Sequence, residues 1–327
     1  MKESIFTLLK LPDRIISKIY LKFFQEKNSL MIFNFHGFFR NEKEKMMDLV
    51  DPQTWTTIDD FHQFIEYFLN NDYNFISPND ILNGLNNDKK YIMISFDDGY
   101  YNNKHALKIL RKYDVPIVLF PSIDHVAQNK CFWWDVLYRE KIKSQLSKDI
   151  FFEQNQLKLK TNEKIEKYIV ETFGKEAFKP RSDIDRPFTT LELRDFSKEK
   201  YVFLGNHTSS HAILTNYSSD GIKSQILDAQ NAINEITGAT PIIISYPNGN
   251  YSDEILKISK ELGIKIGVTT TYNKNNLPLN SQIKRCMYLG RFDVSGCNDV
   301  IKQCELFRSD ILLYPRIYDF LNKKSTR

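Results

Sequence analysis

The chain alternates short apolar runs with amphipathic stretches. Runs at 30–36, 73–76, 91–94, 115–120, 201–204, 241–246, 264–269 and 283–289 are rich in β-branched and aromatic residues and have the length of buried strands. Helical spacing separates several of them. Phe61, Phe64, Ile65, Phe68 and Leu69 recur at i, i+3, i+4, i+7 and i+8 behind Thr57, which has the chemistry of an N-cap. Ala106, Ile109, Leu110 and Tyr113 make a second apolar face; Ile222, Ile226, Ala229, Ile233 and Ile236 make another, stopped by Gly238. Ser77-Pro78, Thr189 or Thr190, and Ser252 each read as a helix start. Strands alternating with helices predict a parallel sheet or barrel with right-handed crossovers. Residues 125–188 break the rhythm; they are lysine-rich and predict a largely helical insertion over the site. Residues 11–24 carry Ile15, Ile16, Ile19, Tyr20, Phe23 and Phe24 at helical spacing with Lys18 and Lys22 between them. The expectation is a helix packed on the domain, with weak association with a membrane surface as the second reading.

Chemistry enters at the ends of two runs. Asp97-Asp98-Gly99 closes the run at 91–94, and in parallel α/β proteins reactive groups collect at the carboxyl ends of strands. Adjacent strand residues point in different directions, so one carboxylate can hold a metal while the other faces a reacting water. By itself Asp-Asp-Gly is equally a surface turn. The run at 201–204 is followed by Gly205, Asn206, His207 and His211. Two His at i and i+4 share one face of a helical turn, and neutral imidazoles at that spacing can bind one divalent ion. With Asp98 they would form a two-His, one-carboxylate site.

Ser95-Phe96-Asp97-Asp98-Gly99, His207-Thr208-Ser209-Ser210-His211 and Ile244-Ser245-Tyr246-Pro247-Asn248-Gly249 together resemble the motifs of the polysaccharide deacetylase family, the NodB-homology or carbohydrate esterase family 4 enzymes. The resemblance spans residues 30–290 and implies a distorted (β/α) barrel. It implies a metal-dependent hydrolase that removes an N-acetyl group from an amino sugar in a glycan or glycan precursor. It assigns Asp97 as general base, Asp98, His207 and His211 as metal ligands, and Asn248, with Tyr246 and Pro247 beside it, to the oxyanion and substrate. Zn²⁺ is the expected ion. Two departures stand out. The family often opens its third motif with an Arg that sets the charge of the base; Ser245 stands there, and Arg285 is the candidate substitute. The family's late His, the general acid, is absent, since no His follows His211. Of the four His that the metal leaves, His36 alone ends an apolar strand, and Phe33-Asn34-Phe35-His36-Gly37 resembles the early Tyr-His element of poly-N-acetylglucosamine deacetylases. His36 is therefore the expected acid. Trp133 and Trp134 are candidate sugar-stacking residues, and Arg285 a candidate substrate contact.

Composition narrows the partners. Lys and Arg number 45 against 41 acidic residues, a net charge of +4, which argues against a dedicated nucleic-acid binder. Cys131, Cys286, Cys297 and Cys304 show no metal-like Cys-x-x-Cys spacing and suit reduced core residues. Lys10 and Pro12-Asp13-Arg14 interrupt any signal-peptide core, and no run approaches a membrane span. The expectation is one cytoplasmic domain over 1–327, with 1–29 a helical extension. The expected substrate is a carbohydrate, lipid- or nucleotide-linked in preference to a secreted polymer. The alternatives are a deformylase or amidase, a glycan-binding homologue without turnover, and an iron oxygenase; the last leaves the Asp pair and the third motif unexplained.

Overall fold

The computed structural model describes residues 2–52, 55–144, 150–280, 282, 284–296 and 299–311, and the side chains of all of these but 2–11 and 14. Its strands are β1 (Ser29–Phe35), β2 (Tyr73–Phe75), β3 (Lys90–Asp98), β4 (Ile117–Pro121), β5 (Val202–Leu204), β6 (Ile243–Ser245), β7 (Ile266–Val268) and β8 (Phe292–Asp293), besides two-residue pieces. Its longer helices are α1 (Lys2–Phe23), α2 (Ile58–Leu69), α3 (Pro78–Asn83), α4 (Leu107–Tyr113), α5 (Ile123–Gln128), α6 (Trp133–Lys143), α7 (Ile150–Leu157), α8 (Asn162–Phe173), α9 (Thr190–Ser197), α10 (Ser219–Thr237), α11 (Asp253–Glu261) and α12 (Val300–Arg308).

Pairing can be followed round a circuit. β1 lies parallel to β3, with Leu30 opposite Tyr91 and Phe35 opposite Phe96. β3 lies parallel to β4 from Ile94–Ile117 to Asp98–Pro121, and β4 to β5. The next seam is the single bridge Asn206–Ile244; β6 then pairs β7, and Val268 bridges Leu289. From Leu289 the chain enters β8, which returns to β1 through Phe33–Phe292. This is a mixed α/β fold around a central parallel sheet, and the circuit is consistent with the distorted barrel expected from the sequence. β1 is buried along its whole length and β3 along all but Lys90, as strands covered on both faces must be.

The helices attach through the faces their spacing announced. Thr57 caps α2 in a reciprocal box with Asp60, and Phe61, Phe64, Ile65 and Phe68 are buried against β1. Each of these side chains contributes about 1.5–3 kcal/mol by leaving water. Phe33 and Phe35 meet Phe64 edge-to-face at 4.8 and 5.2 Å. Thr189 caps α9. One expectation fails and another is refined. Residues 284–287 form the 3₁₀ turn Lys284–Met287, with Ile283 outside the described residues, and the strand here is β8. An Arg followed by alternating burial, Arg291 and Phe292 in and Asp293 out, is too short a pattern to outrank the longer apolar run. Second, α1 begins before residue 11 and runs through Pro12. Asp13, Ser17 and Tyr20 are buried, whereas Ile15, Ile19 and Phe23 are at least half exposed. No helix among the described residues is long and apolar enough to cross a membrane. Cys131, Cys286 and Cys304 are buried free thiols; Cys297 lies outside the described residues.

Candidate active site

β3 carries both carboxylates to its end, and the chain turns there because Asp98 (φ 70°) and Gly99 (φ 85°) are left-handed. The His pair follows β5. Gly205 is needed at that point: a Cβ would lie 2.1 Å from the Phe120 ring on β4. His207 and His211 do not share a helical turn, contrary to expectation. They sit on a loop with Thr208 and His211 both left-handed. Side chains hold that loop. Asn206 Oδ1 accepts from Thr208 N at 2.8 Å, Thr208 Oγ1 from Ala212 N at 2.7 Å, and Ser209 Oγ donates to Asp124 at 2.7 Å. Left-handed non-glycine residues cost energy and persist only where neighbours fix them.

The loop and the strand end converge. His207 Nε2 and His211 Nε2 each lie 3.4 Å from Asp98 Oδ1, and one ligating atom from each of the three residues falls within 4.8 Å of the others. His207 Nδ1 lies 2.8 Å from the Ser245 carbonyl, so Nδ1 carries the proton and Nε2 keeps its lone pair. Asp98 Oδ1 is buried without a hydrogen-bond partner. Burial pushes the His211 imidazole down to about 3, Asp98 acting upward, which leaves it neutral. An orphaned carboxylate oxygen facing two imidazoles fits a divalent metal ion.

Asp97 is held differently. Arg291 Nη1 and Nη2 donate to its two oxygens at 2.8 and 2.9 Å, and Ser245 Oγ donates at 3.1 Å. Burial acts upward on this carboxyl, but Arg291, with His207 helping, holds it well below the usual carboxylate range. Burial also acts upward on Asp98, but the His207 and His211 imidazoles beside it outweigh that and lower its carboxyl. Arg291 is almost fully buried, and its remaining donors reach Thr269 O, Asn34 Oδ1, Ser95 Oγ and Ser245 Oγ at 2.9–3.1 Å. The fork on Asp97 thus comes from Arg291, and the expectation for Arg285 is corrected: its guanidinium reaches the Asn276 and Pro278 carbonyls instead. An Arg within a short apolar stretch was the only signal for Arg291.

These groups open into a cleft of about 260 Å³. His36 lines it, its Nδ1 buried without a partner, because the β1–β3 register carries the residue after Phe35 alongside Asp97. Asn248 lines it too, left-handed at φ 58°. Tyr246 and Pro247 are buried beneath and are not part of its wall; Arg285 is not part of it either. Trp133 and Trp134 belong to the wall, with Trp134 4.6 Å from the His211 ring. Trp134 Nε1 donates to Tyr100 Oη at 3.0 Å, and Tyr100 donates to the buried Asp135 at 2.6 Å. Burial pushes the Asp135 carboxyl up. Sequence reasoning missed Asp51, Gln154, Lys158, Lys160, Asn162 and Asp293, which line the cleft from loops and helix ends without a motif.

Residues 84–267 match the family described as polysaccharide deacetylase. The chain is similar to the Bacillus subtilis (strain 168) protein YxkH, provisionally named a polysaccharide deacetylase, with 22% identity over 219 residues. That match covers 64% of this chain, and the chain spans 57% of that relative's length. Among solved structures it resembles the Streptococcus pyogenes deacetylase PplD in complex with acetate, at TM-score 0.58 and 17% identity over 86% of this chain and 99% of that one. It also resembles IcaB from Ammonifex degensii, at TM-score 0.56 and 12% identity over 87% and 99%. At these identities the likeness to solved structures is one of fold.

Proposed function

The chain belongs to the polysaccharide deacetylase family, and from that premise we propose that it is a metal-dependent hydrolase that removes the N-acetyl group of an amino sugar. The observation that carries the reading is the convergence of Asp98, His207 and His211 beside the Asp97–Arg291 fork. Asp98, His207 and His211 are the ligands in this reading. A divalent ion there, Zn²⁺ being the expected one, would polarise the amide carbonyl and lower the pKa of water. Asp97 takes a proton from the attacking water, and Arg291 keeps it ionised and fixed in direction. The backbone N–H of Asn248 donates to the developing oxyanion. His36 gives a proton to the departing nitrogen, without which an amine is a poor leaving group. Trp134 limits the cleft over His211 and offers its face to a sugar ring. The substrate in this reading is a cytoplasmic lipid- or nucleotide-linked precursor, and α1, with Ile15, Ile19 and Phe23 outward among Lys18 and Lys22, associates weakly with a membrane surface.

The test measures acetate, and formate as a control for deformylation, released from N-acylated sugars by the metal-loaded chain. Asp97→Asn is expected to retain metal and lose turnover by about 10²-fold or more. His36→Gln is expected to slow an amide much more than an activated ester of the same sugar, since a good leaving group needs no acid. Absence of acetate release from lipid-linked, nucleotide-linked and oligomeric substrates alike would sink the reading, and equal His36→Gln losses on amide and ester would remove His36 from it.

A further inference from the structure

The outer wall of the cleft is chemically unlike its floor. Between α7 and α8 it presents two lysines, Lys158 and Lys160. Several other lysines of this region are ion-paired, among them Lys130 with Glu166 at 2.6 Å and Lys179 with Glu176 at 2.6 Å. Among the described residues Lys158 and Lys160 have no such pairing within 4.0 Å. Burial depresses the Lys158 ammonium, with Asp51 acting the other way. Asp51 is itself engaged by Gln154 Nε2 at 3.0 Å. The turn carrying the lysines is pinned, since Asn216 Nδ2 donates to both their carbonyls, at 2.9 and 2.8 Å. The partly buried Lys158 ammonium, without a counter-ion within 4.0 Å, is an incomplete ion pair, and Lys160 stands exposed at the rim beside it.

A second observation lies beside them. Asn162, the first residue of α8, lines the same cleft and is 5% exposed. Its Nδ2 donates to Glu166 at 3.0 Å and its backbone N–H to Tyr217 Oη at 2.7 Å, but its Oδ1 is buried with no partner. That oxygen calls for a donor such as a sugar hydroxyl.

We propose that this wall is a subsite for a phosphate carried by the sugar substrate. Lys158 and Lys160 meet the phosphate oxygens, and Asn162 Oδ1 accepts from a neighbouring hydroxyl. Compact ammonium charges suit a tetrahedral phosphate, whereas a planar carboxylate is matched by a guanidinium fork. The single guanidinium among the cleft residues, Arg291, is committed to Asp97. The subsite rests on the N-deacetylase reading of the floor and narrows its substrate to a phosphorylated or diphosphate-linked N-acetylhexosamine, the carrier being a nucleoside or a lipid.

The test compares the metal-loaded full chain with its Lys158→Gln/Lys160→Gln double variant on three substrates: a neutral N-acetylhexosamine oligomer, a nucleoside-diphosphate-linked N-acetylhexosamine and a lipid-diphosphate-linked one. The KM penalty is expected to be about tenfold larger on a diphosphate-linked substrate than on the neutral one, with kcat changing less than KM. The linked substrate with the larger penalty identifies the carrier. Lys158→Arg/Lys160→Arg is expected to recover most of the loss. A second readout needs no turnover: inorganic pyrophosphate titrated against the fluorescence of Trp133 and Trp134 is expected to bind about tenfold more weakly to the Gln variant. Equal pyrophosphate affinity in the two proteins, or equal KM penalties on neutral and linked substrates, overturns the subsite. Loss of pyrophosphate binding in the variant, with no acetate released from any substrate, would leave the subsite standing and remove the deacetylase reading.

Discussion

Asp97 is a buried carboxylate, and one residue decides whether it stays charged. Arg291 supplies two parallel N–H donors, and Ser245 leaves room for them while adding a hydroxyl. Arg291→Ala would strand the carboxylate in a buried site, and a loss of about 3–5 kcal/mol in urea unfolding is expected. Arg291→Lys keeps the charge and loses the fork; a loss of about 1.5–3 kcal/mol is expected. In either variant the Asp97 carboxyl rises, so the acid limb of the kcat/KM profile is expected to move to higher pH. A limb that stays in place would show that Arg291 does not set the charge of Asp97. The depressed native value also fixes the sign for stability. Its contribution is complete above the ordinary aspartate pKa of about 3.9 and is lost as pH falls below it toward the native value.

At the scale of elements, the helical insertion has its own core and is tied down by one buried ion pair. Trp133, Val136 and Leu137 of α6 pack with Leu157 of α7 and Ile165 and Ile169 of α8. Arg139 Nη1 lies 2.5 Å from Asp185 Oδ2, and Asp185 accepts from the backbone N–H of Arg181 and Ser182 at 3.1 and 2.8 Å. Arg139 also donates to the Ala177 carbonyl. The pair joins α6, which carries Trp134, to the chain that returns toward the barrel. Arg139→Ala is expected to cost about 3–5 kcal/mol, whereas replacing both partners by apolar residues of similar volume is expected to recover most of that. Urea denaturation of the two variants checks the difference; equal losses would mean that packing, not the stranded charge, sets the cost.

At the scale of the molecule, the two ends of the described chain are clamped to the sheet through Glu26. Arg308 at the end of α12 donates to it at 2.7 Å and Lys90 of β3 at 3.2 Å, while Tyr73 of β2 also donates. Tyr20 of α1 and Lys274 both reach Asp310. Burial acts upward on Glu26, and its bonds to Arg308 and Tyr73 outweigh it and lower its carboxyl. The clamp is therefore complete above the ordinary glutamate value of about 4.3 and is lost as pH falls through the lower native value. Glu26→Gln is expected to cost about 1.5–3 kcal/mol at neutral pH and to flatten the loss of stability below about pH 4. An unchanged acid profile would show that the clamp contributes nothing.

Much of this was legible in the sequence because its causes are local. Apolar runs of strand length, the periodic faces of α2 and α10, and the Thr57 and Thr189 caps depend on neighbours a few residues away, and the elements formed there. The Asp98, His207 and His211 cluster was legible because Asp98 ends β3 and the His pair follows β5, and the parallel sheet brings those carboxyl ends to one side. What the sequence left open was set by contacts between distant segments. The His pair meets on a strained loop held by Asn206, Thr208 and Asp124, not on the helical turn that the spacing suggested. The partner of Asp97 is Arg291, 194 residues away, because β8 closes the circuit against β1 and so delivers that guanidinium to the strand end. Lys158, Lys160 and Asn162 follow one another along one turn, but only the packing of the insertion brings that turn to the cleft. No local spacing encodes such meetings. They follow from burial: a chain that covers its apolar faces must close its sheet and stack its helices, and the polar groups at the seams meet where that packing leaves them.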